Sequence, residues 1–131
     1  MNLSKKITFD NFELEIHPEG YYLIVINGKR EFTIDDLKIL VHSQKEMGEH
    51  KIPSLILCAE QAETNIELLN TLAKKAYNPY STADAFVLKS MAQKILANFY
   101  IKINKPERPT MFFNHADEAL VWLKNHTNAI S

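Results

Sequence analysis

The chain has 131 residues, 46% hydrophobic and 24% charged, with fifteen basic against sixteen acidic side chains and a formal net charge of -1. A chain of this length suits one domain over residues 1–131, large enough to bury a continuous core without disulfides or a structural metal. The charge balance gives no general attraction to nucleic acid or to an anionic membrane surface.

The opening MNLSKKITFD carries two lysines with no apolar stretch behind them, so it does not read as a signal peptide. Apolar runs such as YYLIVI at 21–26 are strand-length and far too short to span a bilayer. A single cysteine, Cys58, excludes an internal disulfide and agrees with a reducing compartment. The cytoplasm is the expected location.

In chain order, ITFDNFELEI places Ile7, Phe9, Phe12, Leu14 and Ile16 in alternation, a half-exposed strand ended by a turn at His17-Pro18-Glu19-Gly20. YYLIVI then returns as the second arm of a hairpin. Asn27-Gly28 reads as its exit. Thr33 opens a helix whose first turn holds Asp35 and Asp36, acids that suit the positive end of the helix dipole. Its core stripe is Ile34, Leu37, Leu40, Val41 and Met47, and Gly48 is the stop. Pro53 precedes a buried strand, SLILC.

Thr64-Asn65-Ile66-Glu67 has the spacing of a capping box, with Thr64 at the cap and Glu67 three residues on. The helix that follows carries Ile66, Leu69, Leu72, Ala73 and Ala76 as its stripe. ADAFVL at 83–88 is a strand, and Ser90-Met91-Ala92-Gln93 is a second capping box leading into KILANFYIKI. After a loop at 105–109, TMFF is a short strand, and Asn114-His115-Ala116-Asp117 caps the last helix, EALVWLKNH. Apart from the opening hairpin every strand is followed by a helix, so parallel pairing with right-handed crossovers is expected and the class is α/β.

The run ADAFVLKSMAQKILANFYIKINKPERPTMFFNHADEALVWL resembles the C-terminal half of SpoIIAA-like proteins, within the wider STAS group. Phe113, Asp117, Glu118, Ala119, Leu120, Trp122 and Leu123 carry its most specific motif, and the hairpin, Gly28 and the helix opened by Thr33 fit the same plan. The resemblance implies a β-α superhelix: a mixed, mostly parallel sheet with an N-terminal hairpin and about four helices. It also implies a non-enzymatic role without cofactors. The best-understood relatives are anti-sigma-factor antagonists, which dock a partner protein and are switched off by phosphorylation in an Asp-Ser-Ser/Thr-Gly segment. The corresponding stretch here, Glu60-Gln61-Ala62-Glu63-Thr64, lacks the Gly and the paired hydroxyls. Thr64 alone could accept phosphate, and Glu60, Glu63 and Glu67 would repel it. Phospho-switching is therefore not expected.

Other chemistry finds no foothold. His17, His42, His50, His115 and His126 form no pair at ligand spacing, and His115 and His126 stand roughly 16 Å apart along one helix. Cys58 lies among acids, which disfavour a thiolate, so it reads as a small core residue. The acidic pairs Asp35-Asp36, Asp117-Glu118 and Glu60/Glu63 lie at or just before helix starts, where acids are stabilised without catalytic purpose. NFYIKI at 98–103 is more informative, because it holds more apolar residues than one buried stripe uses.

The expected contact surface comprises Glu60, Gln61, Glu63 and Thr64 on one loop, Tyr77 and Tyr80 on another, and Phe99 with Tyr100 on the third helix. The expected function is a cytoplasmic bacterial protein-interaction module, with homodimerisation through the third helix. No nucleic acid, metal, cofactor or membrane span is expected. The competing expectation is a binder of a small apolar ligand or lipid, akin to Sec14 domains. A carrier of that kind would hold an enclosed apolar cavity of several hundred Å3. An interaction module would show a filled core and an exposed apolar patch.

Overall fold

A computed structural model describes residues 6–128. The strands are β1 (Lys6–Thr8), β2 (Phe12–His17), β3 (Tyr21–Ile26), β4 (Ile52–Cys58), β5 (Ser81–Val87) and β6 (Thr110–Phe113). The helices are α1 (Ile34–Glu46), α2 (Ile66–Leu72), α3 (Met91–Phe99) and α4 (Ala116–Asn128). A 3-10 turn at Lys75–Tyr77 follows α2, and a π-helical turn at Tyr100–Asn104 extends α3. The first five residues of the segment argued not to be a signal peptide lie outside the described residues.

The strands form one sheet in the order β1-β2-β3-β4-β5-β6. The first two pairings are antiparallel and the remaining three parallel, as helical crossovers require. The side-chain period of two then sorts the strand residues between two cores. Phe12, Leu14, Tyr22, Ile24 and Ile56 join Leu37 and Leu40 of α1, Leu68 and Leu69 of α2, and Tyr100 on one face. Tyr21, Leu55, Ala85 and Val87 pack against Ala119 and Leu123 of α4 on the other.

Five local features depart from the sequence expectations. The first strand is two, because Asn11 is turned fully inward between β1 and β2. Its amide donates to the carbonyl of Glu31 and to Asp36 and its oxygen accepts from Arg30 N, so it organises the β3–α1 connection instead of continuing a ladder. Pro53 lies inside β4, at the register irregularity between Ile52 and Ser54, where the ladder does not require the N–H that proline lacks.

The cap of α2 is Asn65, whose side chain accepts from Leu68 N at 2.7 Å; Thr64 is not the cap. That one-residue shift turns Ile66 outward, 53% exposed, and puts Leu68 in the core; Ala76 is also exposed. In the last helix, α4 begins at Ala116, so His115 immediately precedes it and Asn114 lies one position further out. The box at α3 forms as read, and the Thr33 start of α1 also closes as a capping box. Asp36 accepts from Thr33 N at 2.8 Å, and Gln93 N donates to Ser90 Oγ at 3.1 Å.

Candidate functional site

The loop from Ala59 to Asn65, at the carboxyl end of β4, is fastened from several directions. Ala59 N donates to Ile26 O, and Phe32 N donates to Glu63 O. Gln61 Nε2 donates to Asn27 O, and Thr64 Oγ1 donates to Phe32 O at 2.6 Å. From α3, the amide of Gln93 reaches the carbonyls of Ala59, Glu60 and Ala62 at 2.7, 3.2 and 3.0 Å. Gly28 permits the approach: it has φ +77°, and a Cβ there would meet Gln61 Cγ at 2.8 Å and Ala62 N at 2.9 Å. The loop is a strap, and the Thr64 hydroxyl is committed to it.

Beneath this strap, between the sheet and α1–α3, lies a cavity of about 130 Å3. Its walls are mostly carbon, from side chains such as Ile24, Ile56, Leu69, Phe86 and Leu96. The exposed Glu63 also borders it, so it meets the surface beside the strap. Cys58 lines the cavity too, and burial pushes its thiol up to about 12, as expected of an unreactive core residue.

One end of the cavity is polar. Ser54 and Ser81 share a hydrogen bond at 2.7 Å, and Ser81 also donates to Asp84. Arg108 Nη1 donates to Asp84 Oδ2 at 3.0 Å, with both side chains buried, and Nη2 donates to Leu72 O at 3.0 Å. Burial raises the Asp84 carboxyl above its ordinary value, and the Arg108 charge with the Ser81 and Arg108 hydrogen bonds opposes that rise. Gln44 and Tyr100, each 1% exposed, also line the cavity. Gln44 Oε1 has no hydrogen-bond partner within the protein, and the Tyr100 hydroxyl has the Arg108 guanidinium beside it but no acceptor for its proton.

A family described as a domain of unknown function (DUF7793) matches residues 14–127. The chain belongs to the DUF7793 family. Among solved structures, it is similar to an uncharacterised DUF3478-family protein with a SpoIIAA-like fold from Shewanella loihica PV-4. The TM-score is 0.59 at 15% identity, over 94% of this chain and 97% of that one, which shows the SpoIIAA-like fold alone. No curated protein matches.

This DUF7793 chain distributes the sequence-selected residues over three places. Glu63, Thr64 and Tyr100 border the cavity, and Glu60 and Gln61 sit exposed on the strap above it. Tyr100 is thus no part of an exposed docking surface with Phe99, because the π-helical turn rotates it inward. Phe99 faces out at 37% exposure. Tyr77 is exposed on the 3-10 turn, and Tyr80 donates to Glu49 at 3.1 Å.

Sequence reading passed over Gln44, Ser54, Ser81, Asp84 and Arg108. Asp84 did leave a trace, an acid inside an otherwise apolar strand; Arg108, between two loop prolines, left none. Among the described residues no group of three or more His, Cys, Asp or Glu is placed to hold a metal ion, and no helix is long and apolar enough to cross a membrane.

Proposed function

We propose that this protein is a non-enzymatic interaction module of the bacterial cytoplasm, which docks an acidic amphipathic segment of a partner protein on the outer face of α3. The carrying observation is the stripe Met91, Ile95 and Phe99, at 72%, 62% and 37% exposure, spaced four residues apart along one side of the helix. Ile101 and Ile103 continue the exposed apolar chain. Exposed Lys89, Lys94, Lys102 and Lys105 flank it, and no acid occurs between Asp84 and Glu107. Apolar patches with a charged rim favour partner binding, and the four lysines that α3 and its flanks contribute, set against Glu118 of α4 beside Lys94, favour an acidic partner. The strongly raised Cys58 thiol and the engagement of Asp36 in a helix cap support a role without catalysis. A lipid-scale carrier is not favoured, since a cavity of about 130 Å3 is well below the usual ligand pocket.

The test is carbodiimide cross-linking of the purified protein in cytosol from its own cell, comparing wild type with an Ile95→Glu/Phe99→Ser variant shown to be folded by its thermal melt. The expected result is lysine–carboxylate cross-links from Lys94 or Lys102 to an acidic amphipathic segment of one protein, lost in the variant and weakened by salt. A cross-link indifferent to both changes would refute the surface. A sedimentation dimer of the pure protein that the variant dissolves would make a second copy the occupant.

A further inference from the structure

We propose that the cavity beneath the strap binds a small uncharged molecule, a mostly carbon body about the size of one six-membered ring bearing a single hydroxyl, which Tyr100 holds at the polar end. The volume sets the size: about 130 Å3 is close to the ~150 Å3 of a dry apolar cavity that accepts benzene. The walls set the body, because aliphatic and aromatic side chains form most of them, with Glu63, Thr64 and Gln93 at the strap and the serines, Asp84, Gln44 and Tyr100 the polar exceptions. The unpaired atoms set the polar group. The Tyr100 hydroxyl and Gln44 Oε1 are buried and border the same space. Gln44 Oε1 finds no partner in the protein, and the Tyr100 hydroxyl has only the Arg108 guanidinium, a donor, beside it, so nothing in the protein accepts its proton.

Buried polar atoms in native proteins are rarely left unpaired, and two on one cavity suit a ligand that supplies the missing bonds. The neutrality of the ligand follows from its surroundings. Asp84 and Arg108 already balance each other at this end, so a third charge would enter without a counter-ion. Burial first, and then the Asp84 charge, raise the Tyr100 phenol against the opposing charge and hydrogen bond of Arg108, and keep it a hydrogen-bond donor.

Phenol, benzene and benzoate serve as probes, with calorimetry, thermal melts and intermolecular NOEs to the Leu69 and Leu96 methyls as readouts. Phenol should bind saturably, raise Tm and show NOEs to both leucines, which line the cavity. Benzene should bind about five- to tenfold more weakly, the worth of one neutral hydrogen bond, and benzoate not detectably. Tyr100→Phe should weaken phenol several-fold, Gln44 Oε1 still accepting from its hydroxyl, and leave benzene unchanged. Ala97→Leu, which fills the cavity from α3, should abolish binding of both.

Two results on the unaltered protein overturn the proposal without relying on any variant's folding. One is no binding by phenol up to its solubility. The other is NOEs that lead to Met91 and Ile95 instead of the leucines. A phenol affinity undiminished in folded Tyr100→Phe overturns it as well.

Discussion

Removing the Arg108 guanidinium should expose how much of the fold hangs on one ion pair. Arg108 holds Asp84 of β5 through Nη1, and through Nη2 it holds the carbonyl of Leu72 at the end of α2 and that of Asn78 in the following loop. Its replacement by Met preserves most of the volume and removes every one of these bonds. What remains is a buried carboxylate with Ser81 as its donor, together with two carbonyls that have lost one. Breaking a buried pair from one side costs about 3–5 kcal/mol, a large part of the roughly 5–15 kcal/mol of a typical domain.

With a urea m-value of about 1–3 kcal/mol/M, the unfolding midpoint of Arg108→Met should fall by roughly 2 M. The pH dependence supplies a second and sharper reading. Without Arg108 the Asp84 carboxyl rises further above its ordinary value of 3.8, so the folded variant takes up a proton that the unfolded chain does not hold. Stability from such a group is greatest below 3.8 and is lost as pH rises through the folded value. The deficit of Arg108→Met should therefore be largest at neutral pH and shrink toward pH 4. Adding Asp84→Asn should recover part of the loss, since the unpaired charge is then gone. A loss under about 1 kcal/mol at neutral pH, or a deficit that widens toward acid, would refute the assignment of the pair as the anchor of this region.

Three further predictions concern the strap and the caps. Burial raises the Asp36 carboxyl, but hydrogen bonds from Arg30, Thr33 N and Asn11 outweigh it and hold the group below 3.8. Its stabilisation is present above that value and lost as pH falls through the lower folded one, so Asp36→Asn should cost about 1–2 kcal/mol at neutral pH and flatten the acid limb of a stability–pH curve. Asn65→Ala should lower stability by about 1 kcal/mol in urea melts through loss of the α2 cap, while Thr64→Ser, which keeps the hydroxyl on Phe32 O, should leave it within about 0.5 kcal/mol.

The amino-acid sequence by itself determined the architecture, because that depends on local period and punctuation. Alternation in FELEIH, and the apolar run YYLIVI across the turn at 17–20, fix the hairpin. Ser90 with Gln93 and Thr33 with Asp36 fix two helix starts within single turns, where cap and backbone are neighbours in the chain. The excess of apolar residues around Phe99 was legible for the same reason, since a 3.6-residue period has room for only one buried stripe.

What the chain brings together from afar was not legible. Asn65 outcompeted Thr64 as a cap because the Thr64 hydroxyl found Phe32 O, thirty-two residues away. Tyr100 turned inward because the helix changes to a π-turn at that residue, which a regular 3.6-residue period does not anticipate. The polar end of the cavity draws on α1, β4, β5, the loop before β6 and the turn after α3. No spacing in the sequence relates Gln44, Ser54, Asp84, Tyr100 and Arg108. Only the crossovers that stack those elements place one arginine against one buried acid, and leave a cavity beside them.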